Sequence, residues 1–324
     1  MKKLLLFLLF LAGNLYPIVG ARQMGMGGAF IAVADDVYSC YWNPAGLADV
    51  THSQITYLEA LNNEDDLDCE SQRFLANSWK IHKGEGGGMS YLATKKWLGF
   101  INTDDNKKIW LVADDKWVTL SVGGYGERRL KNVAFGLNFR RYSSSLMKSD
   151  GVSKNGGKAN YEKLYREGSA IGIDIGAMYK ANKRLKFGLL LTDVNEPKLE
   201  FSDVNINGKR VSLLYKHPTN IRFGVSFKPD DETTFALDLN NFGINDWYAD
   251  GNSDQSSLRI GFERWVEKSI ALRCGVYGDS FTIGVGLKER MKSFDVELDA
   301  ALLEKEGKGF YLLSTSLKYY VTAK

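Results

Sequence analysis

Residues 294–300 read Phe294-Asp295-Val296-Glu297-Leu298-Asp299-Ala300, and apolar side chains alternate with acidic ones at every step. Successive side chains of a β-strand point to opposite faces, so this period of two predicts a strand with one apolar and one polar face. The same alternation recurs along the chain, at 133–139, 171–179, 223–227, 235–239, 258–262, 270–277 and 281–288. Helical spacing is not visible after residue 50, so the sequence indicates an all-β protein.

The connections between these segments contain turn residues, such as Pro229-Asp230 and Asn207-Gly208. Longer polar stretches lie at 62–71, 103–108, 143–168 and 246–257. The pattern predicts roughly twelve to fourteen antiparallel strands of about 8–12 residues, joined by both short and long connections. No Pro-rich or Gly/Ser-rich linker divides the chain, so these strands are expected to form one domain.

Two architectures accommodate strands of this kind. In a soluble sandwich the apolar face points into the core, whereas in a transmembrane barrel it contacts lipid and the polar face lines the lumen. Glycine on the polar face favours the barrel, because glycine weakens a strand and is useful where a crowded interior leaves no room for a side chain. The glycines concerned are Gly136, Gly172, Gly176, Gly188, Gly224, Gly261, Gly275, Gly284 and Gly286.

The polar face also carries charges of both signs, which can pair across a lumen. The charged residues predicted to face the lumen are Arg140, Asp174, Arg222, Asp238, Arg259, Arg273, Asp295, Glu297 and Asp299. The three acidic residues at 295, 297 and 299 are expected to pair with Arg259 or Arg273. Rings near strand ends, among them Trp79, Trp117 and Trp265, suit the headgroup level of a membrane. Together these features predict an antiparallel transmembrane β-barrel of about 14 strands.

The first 21 residues have the pattern of an export signal. Lys2 and Lys3 precede an apolar run at 4–12, and Val19 and Ala21 stand at the two positions that a signal peptidase reads. The run is shorter than the ~20 apolar residues that span a bilayer, and Asn14 stands where a lipoprotein would need a cysteine. We expect cleavage after Ala21 and a location in the outer membrane.

Residues 22–50 do not alternate. They form a small, apolar, Gly-rich segment whose distinctive residues are Gly25, Gly27, Gly28, Asn43, Pro44 and Ala45. Proline lacks a backbone donor, and the Asn-Pro pair favours a turn or the start of a helix. Such a segment cannot pair as a long strand, but it can fold back into a barrel and fill it. We therefore predict a plug at 22–50 and the β-barrel at 51–324.

Three parts of this segment resemble the start of mature proteins in the FadL-like outer-membrane superfamily, in particular its PorV/PorQ-type branch. They are Gly25-Met26-Gly27-Gly28-Ala29-Phe30, Ala34-Asp35-Asp36 and Trp42-Asn43-Pro44-Ala45-Gly46-Leu47. Residues 215–218, 221–225 and 258–263 agree with the resemblance. It implies a fourteen-stranded barrel whose plug contains the Asn-Pro-Ala motif. FadL-type members let hydrophobic molecules cross the outer membrane, whereas PorV-type members bind or hand over cargo of a secretion system.

Three functions therefore remain open. The first is passive passage of a hydrophobic or amphipathic small molecule, with residues 22–50 gating the barrel. The second is a secretion-system component whose long loops bind proteins, and the third is a soluble exported β-protein. The discriminating properties are permeation, protein capture by the loops and behaviour without detergent.

Enzymatic chemistry is not expected. The glycines at 25, 27 and 28 lack the spacing of a dinucleotide fingerprint, and nothing indicates an activated nucleophile. The three histidines share no ligand spacing with the cysteines, so no metal or cofactor is expected. An acidic loop with Asp246, Asp250, Asn252 and Asp254 could take Ca²⁺, but its ligand spacing is incomplete and a solvated loop is favoured. With 42 basic residues against 39 acidic ones, there is no basic field for nucleic acid.

Overall fold

The computed structural model describes residues 19–61, 71–102, 108–149, 161–163, 168–206, 209–240, 258–305 and 308–319. Within these ranges nearly all regular structure is strand. The strands are β1 (Ser53–Leu61), β2 (Ser71–His82), β3 (Glu85–Asn102), β4 (Lys108–Tyr125), β5 (Val133–Ser149), β6 (Tyr161–Lys163), β7 (Gly168–Lys180), β8 (Leu185–Thr192), β9 (Lys198–Ile206), β10 (Lys209–Lys216), β11 (Asn220–Phe227), β12 (Thr233–Asn240), β13 (Leu258–Val266), β14 (Ile270–Tyr277), β15 (Ser280–Arg290), β16 (Phe294–Lys305) and β17 (Lys308–Tyr319).

Fourteen of these strands form a closed antiparallel barrel. Pairing runs from β1 to β5, continues through β7, β8 and β11 to β17, and returns from β17 to β1. The short β6 pairs only with the end of β5, and β9 and β10 form a separate hairpin. Closure leaves no unpaired strand edge, which is what a sheet surrounded by lipid requires. The predicted antiparallel barrel of about 14 strands is confirmed.

The connections distinguish the two ends of the barrel. Six connections of at most seven residues lie at the end where β1 begins and β17 ends: 83–84, 126–132, 181–184, 228–232, 267–269 and 291–293. We call this the short-turn end. The opposite end, which we call the long-loop end, carries the β9–β10 hairpin and the tight turn at 278–279. A three-residue 3₁₀ helix, Arg128–Leu130, is the one helical element after residue 50 within the described residues.

The apolar sides of the strands face outwards. Phe281 is 76% exposed and Ile171 is 62% exposed, whereas the adjacent Thr282 and Gly172 are buried. Large exposed apolar side chains recur around the barrel from Tyr57 on β1 to Leu313 on β17. A soluble monomer does not expose so much contiguous apolar surface. The sandwich, in which these side chains would form a core, is therefore wrong, and with it the soluble alternative.

The tryptophan prediction is only partly correct. Trp79 on β2 faces outwards and is 40% exposed. Trp117 on β4 instead points into the barrel, where its ring lies 5.2 Å from that of Tyr142. The next residue, Val118, faces outwards, so alternation along β4 turns the Trp117 side chain inwards. The ring therefore does not lie at the headgroup layer.

Residues 19–50 form a chain of short elements. They include the helices α1 (Ala21–Gly25) and α2 (Ser39–Trp42) and a 3₁₀ helix, Pro44–Asp49. Proline fits the first position of the 3₁₀ helix because the missing N–H would have no partner there. Nearly every residue of the segment is buried. None of the helices in the described ranges combines the length and apolar character needed to cross a membrane.

Candidate functional site

The inward-facing glycines make room for the N-terminal segment. A β carbon at seven of the nine predicted positions would overlap atoms of residues 25–45, namely at Gly136, Gly176, Gly188, Gly224, Gly261, Gly275 and Gly284. At Gly172 and Gly286 it would overlap side chains that lie in the lumen. Because these glycines come from β5, β7, β8, β11 and β13 to β15, the wall contacts the segment from several sides. The crowded interior inferred from the glycines is thus present.

The Asn-Pro-Ala motif joins the segment to β7 and β8. Asn43 is fully buried, and its side-chain nitrogen donates to the carbonyl oxygens of Ile31 (3.0 Å), Ala177 (3.3 Å) and Leu189 (3.5 Å). Its side-chain oxygen accepts from the backbone nitrogen of Ala45 (3.2 Å), which caps the 3₁₀ helix. One amide therefore fixes a turn of the segment, the start of a helix and two strands of the wall.

The glycine motif contacts the opposite wall. Gly27 has φ of +63°, and a β carbon there would lie 2.6 Å from the backbone of Ile260 and of Val276. Its backbone nitrogen donates to Thr282 Oγ1 (3.0 Å), and Thr282 Oγ1 donates to the carbonyl of Gly25 (3.2 Å). The carbonyl of Gly28 accepts from Arg259 at 3.4 Å. The motif supplies a positive φ and close approach to β13–β15 rather than a cradle for phosphate.

The predicted lumen charges form three groups. In the first, Arg140 Nη2 donates to Asp174 Oδ2 at 2.7 Å, and Asn138 donates to the same oxygen at 3.0 Å. Arg140 Nη1 also donates to the hydroxyl of Tyr142 (3.2 Å), which donates to Asp193 (2.6 Å). The arginine and its acidic partner are both almost completely buried, so this group is a closed ion-pair network.

The second group holds the turn that follows the glycine motif. Asp238 is fully buried, and one of its oxygens accepts from the backbone nitrogens of Phe30 (2.6 Å) and Ile31 (2.9 Å). Arg222 and Arg259, which are also buried, lie on neighbouring strands of the same part of the wall. The carboxylate therefore serves two backbone donors of the segment, a charge-assisted arrangement that orients residues 30–31.

The third group is the acidic ladder of β16. Arg273 pairs with Asp299 at 2.6 Å and with Glu297 at 3.6 Å, as predicted for two of the three acids. Asp295 pairs with Lys288 at 3.5 Å instead. Asp295 lies closer to the short-turn end than Asp299 does. It is out of reach of Arg273, which pairs with Glu297 and Asp299. The acidic side chains of β16 are thus neutralised by basic residues on two neighbouring strands, Arg273 on β14 and Lys288 on β15.

Arg22 belongs to the site, although the sequence pattern did not predict it. Its Nη1 donates to Asp35 and to Asp36, both at 2.8 Å, and its Nε and Nη2 donate to the two oxygens of Glu263, also at 2.8 Å. Arg273 Nε holds Glu263 from the other side at 2.7 Å. The sequence did contain a signal for it: Arg22 is the one basic residue in the segment 22–50, which was expected to be buried. A buried charge needs a partner of opposite sign.

Asp49 is a second anchor that the sequence did not reveal. It accepts from Tyr125 (2.5 Å) and pairs with Lys180 (2.6 Å) and Lys186 (3.4 Å) at the short-turn end. Burial raises the pKa of the Asp49 carboxyl, but the two lysines and the tyrosine hydroxyl outweigh it and hold that pKa below its usual value. The carboxylate therefore fixes the end of the 3₁₀ helix to β4, β7 and β8.

An aromatic group lies beside the β9–β10 hairpin. The ring of His217 stacks on Tyr142 with centroids 4.2 Å apart, and its edge meets Trp117 at 6.3 Å. Its backbone nitrogen donates to the carbonyl of Pro197 (3.0 Å), which closes the base of the hairpin. Burial, with a smaller effect of the positive charge of Arg140, lowers the pKa of His217 to about 3.

Acidification is expected to loosen this hairpin. An opened His217 takes up a proton near its ordinary pKa of ~6.5, whereas the packed ring does so only near 3, so stability is lost as pH falls from 6.5 towards 3. Hydrogen exchange of residues 193–219 should therefore be faster at pH 4.5 than at pH 7 after correction for intrinsic rates. His217→Phe keeps the stacking without the titration and should remove most of that difference. A difference of equal size in the variant would contradict the assignment.

Residues 19–21 belong to the folded segment. Val19 and Ala21 are fully buried, the indole nitrogen of Trp42 donates to the carbonyl of Val19 (2.8 Å), and the backbone nitrogen of Met24 donates to Gly20 (2.9 Å). Cleavage after Ala21 would remove both acceptors, and each buried donor left unpaired costs about 1–3 kcal/mol. We therefore expect the mature N-terminus at or before Val19. Intact-mass measurement of membrane-extracted protein decides this, and a chain beginning at Arg22 would contradict it.

No group of three or more His, Cys, Asp or Glu side chains in the described ranges is placed to hold a metal ion. The acidic loop with Asp246, Asp250, Asn252 and Asp254 lies outside those ranges. Cys40 is a buried free thiol and Cys274 is an exposed one on the apolar face.

The fold resembles that of solved FadL-type channels. A Pseudomonas aeruginosa FadL homologue aligns with a TM-score of 0.61 and 11% identity, over 95% of this chain and 99% of that one. The Pseudomonas putida toluene transporter TodX aligns with a TM-score of 0.61 and 13% identity, over 95% and 98%. The CymD monoaromatic hydrocarbon channel gives 0.60 and 12%, over 93% and 96%. At these identities the likeness shows the fold: it is FadL-like.

Residues 111–240 match a family model described as F plasmid transfer operon, TraF, protein, which is less than half of the chain. No curated protein sequence matches. None of the structures named above is a PorV- or PorQ-type protein, so that branch stays a prediction.

Proposed function

We propose that this protein is an outer-membrane channel that passes hydrophobic small molecules passively, with residues 22–50 as its plug. The observation that carries the proposal is the closed barrel with an apolar outer surface and a buried N-terminal segment, on a fold shared with hydrocarbon channels. One similar structure is a toluene transporter and another is a monoaromatic hydrocarbon channel, so these compounds are the first to test. Membrane lipid and a hydrophobic ligand are the partners that the proposal requires.

The interior is consistent with a gated channel rather than an open pore. The lumen is occupied by the segment, and the ion pairs of Arg22 and Asp49 attach it to the wall at separate places. Contacts of this kind can be broken and remade without unfolding the barrel. Neither the glycine motif nor the charged groups of the lumen combines a nucleophile with a base, so the proposal includes no chemical step.

Uptake of labelled toluene tests the proposal. The protein is expressed in cells whose outer leaflet is lipopolysaccharide, a poor path for hydrophobic solutes, and uptake is compared with vector-only cells. We expect a several-fold higher initial rate, and no swelling of protein-containing liposomes in a disaccharide. Uptake equal to that of vector-only cells, with folded barrel shown by a heat-modifiability gel, would refute the proposal.

The secretion alternative remains a sequence-based prediction. It required long loops as docking surfaces, and the two stretches chosen for this, 143–168 and 246–257, lie largely or wholly outside the described residues. In the part that is described, β5 continues to Ser149, so the first stretch begins as barrel strand rather than as loop.

A further inference from the structure

Basic side chains interrupt the apolar outer surface of the barrel on one side. They belong to four consecutive strands, β2 to β5, and we call them the β2–β5 basic patch: Arg73, Lys95, Lys116 and Arg141. Each has the same parity along its strand as outward-facing apolar residues such as Leu75 and Val118. In the half of β7, β8 and β11–β15 nearer the long-loop end, every outward position that the structure describes is uncharged. Because a charge on the lipid-facing surface is costly, a patch confined to one side requires a polar partner there.

The height of the patch places it at the edge of the membrane. Counted from the short-turn end of each strand, its four residues lie eight to ten residues along. A strand needs about 9–11 residues to cross the hydrocarbon layer. Below the patch, the outward positions carry large exposed apolar side chains, from Trp79 and Met89 up to Leu120 and Phe139. Since outer-membrane barrels turn their short connections to the periplasm, the patch lies at the headgroups of the outer leaflet.

The strand register brings the four side chains together. Ala93 on β3 pairs with Arg73 on one side and with Lys116 on the other. Lys95, two residues further along β3, is therefore a diagonal neighbour of both basic residues. Arg141 is a diagonal neighbour of Lys116, because the residue of β5 that pairs with Lys116 lies two positions from Arg141. Diagonal neighbours on antiparallel strands lie about 7–8 Å apart, so these long side chains can converge on one headgroup.

Two acidic side chains accompany the patch without neutralising it. Glu59 on β1 accepts from Arg73 Nε at 3.0 Å, and an oxygen of Asp114 lies 3.7 Å from Lys116 Nζ. The side chain of Arg73 is 66% exposed against 43% for its partner, and that of Lys116 is 47% exposed against 12% for its partner. Arg141 is exposed and forms no ion pair with any residue in the described ranges. Because exposed ion pairs are weak, the patch presents a net positive charge that a stronger anion can bind.

We propose that the β2–β5 basic patch binds the phosphate groups of an outer-leaflet glycolipid, the lipid A part of lipopolysaccharide. Guanidinium groups bind phosphate through paired hydrogen bonds, and ammonium groups bind it as point charges. The apolar side chains below the patch contact the acyl chains of the same lipid, which a soluble phosphate does not have. This inference goes beyond the proposed function, since it needs the outer-membrane location but not the passage of any solute.

Native mass spectrometry of the full-length protein in detergent tests this site. Diphosphorylated lipid A is titrated into the wild type and into the double variant Lys116→Gln/Arg141→Gln. Since each basic residue near a membrane surface strengthens binding about fivefold, we expect the double variant to bind about tenfold or more weakly. The matched control is Lys80→Gln/Lys83→Gln, which removes two charges at the short-turn end and should bind as the wild type does. If the double variant is not heat-modifiable, Arg141→Gln alone breaks no ion pair in the described ranges and should weaken binding several-fold.

Two further probes separate the phosphates of the lipid from its acyl chains. Dephosphorylated lipid A has the same chains and should bind the wild type no better than it binds the double variant. Inorganic phosphate at the concentration of the lipid has the charge without the chains and should not displace it; displacement would overturn the assignment to a lipid. Equal binding of diphosphorylated lipid A to folded wild type and folded double variant would overturn the site, as would equal binding of both forms of lipid A to the wild type. Failure of toluene uptake with the expected lipid A results would refute the channel alone.

Discussion

Gly123→Val is expected to prevent the N-terminal segment from packing in the barrel, whereas the same change at the next residue, Gly124→Val, is expected to be tolerated. A β carbon at 123 would overlap the carbonyl of Pro44 and lie 3.1 Å from Leu47 Cβ. At 124 the nearest atom, in the side chain of Glu85, is 3.4 Å away, an ordinary contact. The two residues are adjacent on β4 and point to opposite faces. The two substitutions therefore change strand propensity alike, and they differ only in that residue 123 faces the N-terminal segment and residue 124 does not.

The expected loss for Gly123→Val is about 3 kcal/mol or more, because the overlap is with backbone, which cannot choose another rotamer. Protease protection of residues 22–50 in detergent and the denaturation midpoint measure it. Deleting residues 19–50 in the Gly123→Val variant should restore a heat-modifiable barrel, since the obstacle is then gone. Equal midpoints for the two single variants would show that residues 44–48 do not pack on β4 as described.

The barrel could be predicted from the sequence because its signal is local. Alternation assigns each side chain to one of two faces, and glycine on the polar face adds that this face is crowded. The same alternation cannot say which strands are neighbours. Residues 198–206 and 209–216 are strands like the others, yet they pair only with each other and stay outside the barrel sheet. These two strands are excluded from the barrel because β8 pairs with β11. That pairing joins residues far apart in the sequence, so local alternation cannot predict it.

For the charged residues too, the sequence predicts the face on which each side chain lies but not the partner that it contacts. Asp174, Asp238 and Asp299 could be assigned to the polar face, and all three are buried in the lumen. Their partners depend on how the segment folds back: Asp238 accepts from the backbone nitrogens of residues 30 and 31, which alternation along its own strand cannot predict. Arg22 was missed for that reason, because its partner Glu263 is 241 residues away along the chain.

Asn43→Asp is expected to destabilise the folded barrel more than Asn43→Ala. The amide nitrogen of Asn43 faces three carbonyl oxygens, and in the aspartate variant a carboxylate oxygen would face them instead. Removing the donor takes away the hydrogen bond to the buried carbonyl of Ile31, at about 1–3 kcal/mol, and burying a charge without a partner costs more. The expected loss is thus about 2 kcal/mol for alanine and 3 kcal/mol or more for aspartate. Denaturation midpoints in detergent, followed by tryptophan fluorescence, give both values.

Asn182→Asp is the matched control for this change. Asn182 lies in the exposed turn between β7 and β8, and its side-chain oxygen accepts from the backbone nitrogens of Arg184 (2.8 Å) and Leu185 (2.9 Å). A carboxylate accepts these bonds equally well, so the midpoint should stay unchanged. The two asparagines therefore test opposite roles of one side chain, donor at 43 and acceptor at 182. If both aspartate variants unfold at the wild-type midpoint, the amide of Asn43 does not bridge the segment and the wall. The motif would then stabilise only the 3₁₀ helix that follows it, through the bond from Ala45 that aspartate can still accept.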